Sequence, residues 1–406
     1  MSTLDTMSRP HSHEGEGLGP RSYYSSRADR PTSFDIDDIP TPTGREEDWR
    51  FTPIRRARDF FDPAGYSGVD ASASVRASGP VRVETVGRDD PRLGQVLEPG
   101  DRTAVVSWAA FHHSTVVTIP KGADIEEPVV IDVTGSGEIQ SQHILIRAEE
   151  LSRATVLLDH TGKGAVNQTV EVDAGDGANL TVVSLQEWDA TARHTSNQRL
   201  RLGKDTVLRH VVVSLGGDLV RVCADTDFAG SGGELTMLGL YFVDAGQHLE
   251  HRVFVDHDRP NCYSRVTYKG ALQGKGAHSV WIGDCLIGKN ADNTDTYELN
   301  RNLVLTEGAK ADSVPNLEIE NGEIKGAGHA SATGRFDDEQ LFYLMSRGVS
   351  EEDARGLVVR GFFAEVINQI DVPSISAHLT AAIEAELQRT RGEAEAEPDA
   401  GAGDAS

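Results

Sequence analysis

From about Val81 to Ile324 the chain repeats one local grammar for about 240 residues: short β-branched, apolar runs separated by turns of Gly, Asp and Asn. Val129-Val-Ile-Asp-Val133, Ala154-Thr-Val-Leu-Leu158, Leu180-Thr-Val-Val-Ser184 and His251-Arg-Val-Phe-Val255 are examples. No helix-length amphipathic pattern intervenes, which excludes βαβ architectures, since each of their crossovers needs a helix. Small-residue turns centred near Ala277, Ala291, Ala309 and Ala327 lie 14, 18 and 18 residues apart. Spacing of that order suits the coils of a β-solenoid, each burying its inward side chains against its neighbours. A β-sandwich uses the same strands and turns, so periodicity alone leaves both open, although a single all-β domain this long is large for a sandwich.

The flanks differ in composition. Residues 1–40 are rich in Ser, Arg, His, Gly and Pro without an apolar signal core, and are expected to be disordered. Residues 41–80 read as a helical or irregular segment whose Trp49, Phe51, Ile54, Phe60 and Phe61 would cover the end of a larger core, itself spanning 81–335. Residues 336–390 read as a helical domain. Asp337 and Gln340 stand at capping-box spacing before a helix that closes at Gly348, and Ser350 with Asp353 caps a second. That second helix carries Ala354, Leu357, Val358, Phe362, Val366 and Ile370 on one stripe and Val359, Phe363 and Ile367 on another. One stripe suffices to dock a helix on its own domain; the second calls for burial against a partner or inside a three-helix cluster. A third helix is predicted over Ser374–Arg389, and the acidic stretch 391–406 is too polar to pack.

With 39 basic and 64 acidic residues the formal charge is −25, which argues against nucleic acid and anionic membrane surfaces as partners. No apolar run reaches membrane-spanning length. Cys223, Cys262 and Cys285 are too scattered for a disulfide framework; they fit a reducing cytoplasm and read as buried small hydrophobes. The Gly-Lys pairs at Gly162, Gly203, Gly274 and Gly288 lack the Ser or Thr of a phosphate loop, and no Gly-x-Ser-x-Gly elbow occurs. His248, His251, His257, Asp258 and Cys262 form the densest set of metal-capable side chains. On a strand, however, His248 and His251 project to opposite faces, which favours imidazoles lining a solenoid over a zinc site.

The segment Ser313–Gly334 reads as a short strand followed by a glycine-rich turn holding a single imidazole, His329. Its Pro315-x-Leu-Glu-Ile run, the His329-Ala-Ser-Ala-Thr-Gly334 turn and Leu341-Phe-Tyr-Leu-Met-Ser-Arg-Gly348 resemble, in order, the C-terminal signature of the SufB/SufD family of iron–sulfur assembly scaffolds. Arg265-Val-Thr-Tyr-Lys-Gly-Ala-Leu-Gln-Gly-Lys-Gly-Ala277, Thr294-Asp-Thr-Tyr-Glu-Leu-Asn-Arg-Asn-Leu303 and Glu47-Asp-Trp-Arg-Phe-Thr52 resemble further motifs of that family. The likeness spans roughly residues 40–370 and is nearest to SufD. It implies a right-handed parallel β-helix core and a non-catalytic scaffold that pairs through the β-helix with a SufB-like subunit. A SufC-like ABC ATPase would dock on the C-terminal helices, for which Phe342, Leu357, Val359, Phe362, Phe363 and Ile367 are the candidate contacts.

By the same resemblance, an iron–sulfur cluster would form transiently at the shared junction, with His329 as one imidazole ligand to iron. Some SufD chains have a cysteine where this one has Ala327, so the chain is not expected to hold a cluster unaided. Two other readings remain: a β-solenoid enzyme acting on acidic polysaccharide, which the negative charge disfavours, and a purely structural homodimer.

Overall fold

Residue-by-residue register turns the repeat into a parallel β-solenoid. The structure, a computed structural model, describes residues 27–335, 338–370 and 372–396. Its sheet begins with β1 (Ser72–Arg76), β2 (Arg82–Gly87), β3 (His113–Ile119), β4 (Val129–Ala148), β5 (Arg153–Ala174) and β6 (Asn179–Gln186). It continues through β7 (Arg193–Leu202), β8 (Val207–Ser214), β9 (Leu219–Phe228), β10 (Glu234–Val243) and β11 (His248–His257). The last strands are β12 (Tyr263–Leu272), β13 (His278–Ile287), β14 (Asp295–Val304), β15 (Lys310–Ile319) and β16 (Gly326–Arg335). Even-numbered strands from β6 to β16 form one parallel ladder and odd-numbered strands from β7 to β15 the other. The long β4 and β5 bend from one ladder into the other.

One coil therefore contains two strands and advances roughly 26 to 32 residues, as from Arg193 to Leu219 and from His278 to Lys310. The 14- and 18-residue turn spacing marks half-coils, not coils. The first strands of the two ladders are covered by antiparallel β1 and β2, whereas β15 pairs only with β13 and β16 only with β14 among the described strands. One end of the solenoid finishes in these short antiparallel strands of five and six residues, and the other in two ten-residue parallel edges.

Side chains alternate between the interior and the outer faces. Leu208, Val212, Met237, Tyr241, Val253 and Trp281 are among those filling the interior. Polar residues share it: Gln168 donates to Gln142 Oε1 at 2.6 Å, and His210 Nε2 lies 2.7 Å from Gln198 Oε1. Burial pushes the His160 and His210 imidazoles down to about 4 and those of His251 and His257 down to about 3, so all four are neutral packing groups. Tyr241 and Tyr268 lie over Gly270 and Gly239 of the neighbouring coil, where an added Cβ would meet the ring at 1.8 Å. That contact explains the glycine of the Tyr268-Lys-Gly motif.

The outer faces are covered by the flanks of the chain. Helices α1 (Ile54–Ala57) and α2 (Arg102–Ala110) lie with the N-terminal segment, and α3 (Asp338–Ser346), α4 (Glu351–Ile370) and α5 (Pro373–Ala396) follow the solenoid. Helix α2 departs from the all-strand expectation. Thr103 to Ser107 are buried in succession, leaving no amphipathic contrast to detect, and Asp101 caps it by accepting from the Ala104 N–H at 2.9 Å.

Residues 27–40, expected to be disordered, are tied down. The buried Arg27 guanidinium pairs with Asp225 and Asp284 at 2.7 and 2.9 Å, and Ile39 is buried. Trp49, Phe60 and Phe61 pack on Ala165 and Leu219, so they cover a flank and not an end of the core. Residues 1–26 and 397–406 lie outside the described residues, as does Asp337 of the expected capping box. Ser350 accepts from the Asp353 N–H and donates to its carboxylate, as predicted, and the third helix reaches Ala396. Among the described residues no helix is long and apolar enough to cross a membrane.

Candidate functional site

The free end of the solenoid is where the sequence-predicted histidine lies. His329 does not sit in a turn. It is an exposed residue of β16, directly opposite Glu298 of β14 in the ladder. The strand escaped detection because Gly326-Ala-Gly-His-Ala-Ser-Ala-Thr-Gly334 has no apolar alternation; backbone pairing with β14 defines it. A cavity of about 750 Å³ opens beside it, with Cys285, Pro315, Leu317 and His329 in its lining.

Two buried groups stand behind that mouth. Both oxygens of Glu298 lack a hydrogen-bond partner, and burial together with the Asp284 charge pushes its carboxyl up to about 8. The Cys285 thiol, 3.5 Å from Thr296 Oγ1, is pushed above the usual thiol range by burial and by Glu298. Burial likewise pushes Cys223 up to about 12 and raises Cys262, and all three cysteines are free and buried. At this end the Cys285 thiol is enclosed and the His329 imidazole is exposed. Among the described residues no three His, Cys, Asp or Glu side chains converge on a point that could hold a metal ion.

The set around His248 is dispersed. His248 lies on the outer face, whereas His251 and His257 point inward, bonded to Ser214 and Ser264 at 2.9 Å each. Asp258 pairs with Arg259 at 2.8 Å and Cys262 is enclosed.

The Glu47–Thr52 motif acts as a clasp on the outer face of β9 and β11. Asp48 meets Arg30 at 3.0 Å and Arg252 at 2.8 Å, Trp49 lies under the Arg221 guanidinium at 4.0 Å, and Thr52 donates to Glu250 at 2.7 Å. Arg221 pairs with Asp101 at 2.8 Å and with Glu250 at 3.3 Å. Burial opposes the Glu250 carboxylate, yet the hydrogen bond from His248 and the charges of Arg221 and Arg252 hold it well below the usual range. Sequence reasoning missed this buried ion network, since nothing local announces which strand face a charge will occupy.

The six helix residues separate into two groups. Val359 and Phe363 are 0% exposed and Ile367 is buried with them, packed on Val183, Val211, Leu238 and Phe242 of the chain's own sheet. Their stripe is thus intramolecular, correcting the expectation that it faces a partner. Phe362 is half-buried, with the buried Lys269 ammonium 4.8 Å from its ring and donating to its carbonyl at 3.2 Å. Phe342 at 74% and Leu357 at 44% are exposed, alongside Tyr343 and Met345.

Comparison with known proteins adds a family. The model of the SufBD core domain of the SUF iron–sulfur cluster assembly system matches residues 131–362. An iron–sulfur cluster assembly SufBD family protein of Mycobacterium tuberculosis is 53% identical over 366 residues, covering 88% of this chain and 92% of that protein. The iron–sulfur cluster assembly protein SufD of Escherichia coli is 25% identical over 366 residues, covering 80% and 84%. SufB of Bacillus subtilis is 24% identical over 279 residues, covering 66% and 59%.

Proposed function

Because the chain belongs to the SufB/SufD family of SUF iron–sulfur cluster assembly proteins, we propose that it is a SufD-like scaffold subunit, pairing with a SufB-like chain and a SufC-like ATPase. The observation that carries the reading is the asymmetry of the solenoid. Its first coil finishes in the short antiparallel β1 and β2, while β15 and β16 leave ten-residue parallel edges among the described strands, and His329 lies on one of them. Free parallel edges are templates for a further strand, and an end left open on a solenoid calls for a mate. A SufB-like subunit would continue the ladders there and bring thiolate ligands of its own.

The cluster is cargo built at the junction, with His329 supplying one nitrogen ligand to iron. Phe342, Tyr343, Met345 and Leu357 form the surface on which the ATPase docks, and Lys269 with the buried α4 stripe transmits the load from that helix to the sheet. The chain itself turns nothing over; nucleotide hydrolysis belongs to the ATPase.

Co-expression with a SufB-like subunit and an ATPase tests this. The three should co-purify, and isolated chains that self-associate should exchange into the heteromer. His329→Ala should leave assembly intact and sharply reduce cluster loading, read by visible absorbance and iron content. Complexes of His329→Ala that load iron and sulfide like the parent would remove the imidazole from the site, and failure to co-purify would remove the scaffold reading.

A further inference from the structure

Two histidines from successive coils meet on the outer face of the solenoid, outside the cavity at its free end. His248 and His278 are ladder neighbours on β11 and β13, 30 residues apart in sequence, and their Nδ1 atoms lie 3.1 Å from each other. Each ring is held from behind by a carboxylate. Nε2 of His248 is 3.2 Å from Glu250 Oε2, and Nε2 of His278 is 2.7 Å from Asp312 Oδ2. An imidazole that donates its Nε2–H to a carboxylate presents a bare lone pair at Nδ1. Two such lone pairs repel at 3.1 Å. Something positive must stand between them, either a shared proton or a metal ion.

We propose that His248 and His278 form a binding site for a divalent transition ion of the Zn²⁺ and Fe²⁺ class, ligated through both Nδ1 atoms with solvent in the remaining positions. Two nitrogens each about 2.0–2.1 Å from a tetrahedral ion stand about 3.3 Å apart, close to the separation already present. The carboxylate–imidazole–metal arrangement is the one that fixes tautomer and ring orientation at metal sites, and here it occurs twice.

The neighbouring charges keep those carboxylates in the orienting role. Arg221 and Arg252 reach Glu250 at 3.3 and 3.5 Å, Thr52 donates to it, and Lys310 reaches Asp312 at 2.6 Å. His278 retains 23% side-chain exposure, which gives an ion a way in, while His248 is enclosed at 3%. With two protein ligands the ion stays exchangeable, a property suited to carrying an ion and not to bracing a fold.

The experiment uses the full chain without a histidine tag, stripped with chelator and titrated with Co²⁺ by visible spectroscopy and with Zn²⁺ by calorimetry. One ion per chain is expected. His278→Gln, at the accessible position, should weaken binding at least tenfold, and Asp312→Asn should weaken it by roughly 10–100-fold, both with unchanged melting temperature. Replacing His112 and His113, an exposed pair beside Asp70, should leave this binding unaltered. No uptake by the parent, or parent-like uptake by His278→Gln, would overturn the proposal. So would ¹⁵N resonances showing an Nδ1–H···Nδ1 proton that persists in excess Zn²⁺.

Discussion

Phe363 is the sharpest test of how the helices are attached. Its ring is fully buried on the outer face of the even-numbered ladder, among Val211, Leu238, Phe242 and the neighbouring α4 residues Val359 and Ile367. Phe363→Ala removes that ring and leaves a cavity that rigid strands cannot close, a change worth about 3–5 kcal/mol. The loss should be local. The strands beneath hold their own hydrogen-bonded ladder and an interior core that the helices do not touch, so α4 and α5 should open as a unit before the solenoid does.

Hydrogen exchange reads this directly. Protection of α4 amides should fall by roughly two to four orders of magnitude, as about 3–5 kcal/mol dictates, while that of β10 and β12 stays near the parent value. Phe342→Ala is the contrast: at 74% exposure it should shift stability by no more than about 0.5 kcal/mol yet weaken ATPase capture. Parent-like protection of α4 in Phe363→Ala would refute the packing argument. An equal loss throughout the strands would refute the claim that the helices are a separable layer.

Two further outcomes are expected. Glu298 has its carboxyl raised from about 4.5 to about 8, so the folded chain keeps a proton that the unfolded chain has released, and its contribution to stability falls as pH rises through that window. Glu298→Gln should therefore gain stability over the parent between pH 5 and pH 9 in urea titrations, by at most about 5 kcal/mol; parallel curves would contradict the buried, unpartnered carboxyl. Arg221→Ala takes a buried cation from Glu250 and Asp101 beneath the clasp and from the face of Trp49, so it should cost about 3–5 kcal/mol and expose residues 27–61 to protease. Survival of that segment uncut would mean the clasp is held by its apolar contacts.

The all-β, coil-forming character of residues 81–324 was legible because alternation and turn chemistry are local signals. What lay beyond reach depends on register. His248 finds His278, and Glu250 finds Arg221, only once the coil length is fixed, and neither pair shares a local motif. Helix α2 was hidden by being buried along successive residues, polar Thr103 and Ser107 included, and β16 by having almost no apolar residues. The double stripe on α4 correctly announced burial on a broad face, but a stripe carries no label for what buries it. Here the answer was the chain's own strands, reached through Lys269 and Val211.

The unequal ends of the solenoid also bear on its valence. A stack of coils with identical long edges at both ends could add copies without limit, as fibrils do. Here the first coil finishes in the five-residue β1 and six-residue β2, antiparallel to their neighbours, and the last in two ten-residue parallel edges. The two ends therefore offer templates of different length and direction, and a partner that extended the parallel end would find no matching template at the other.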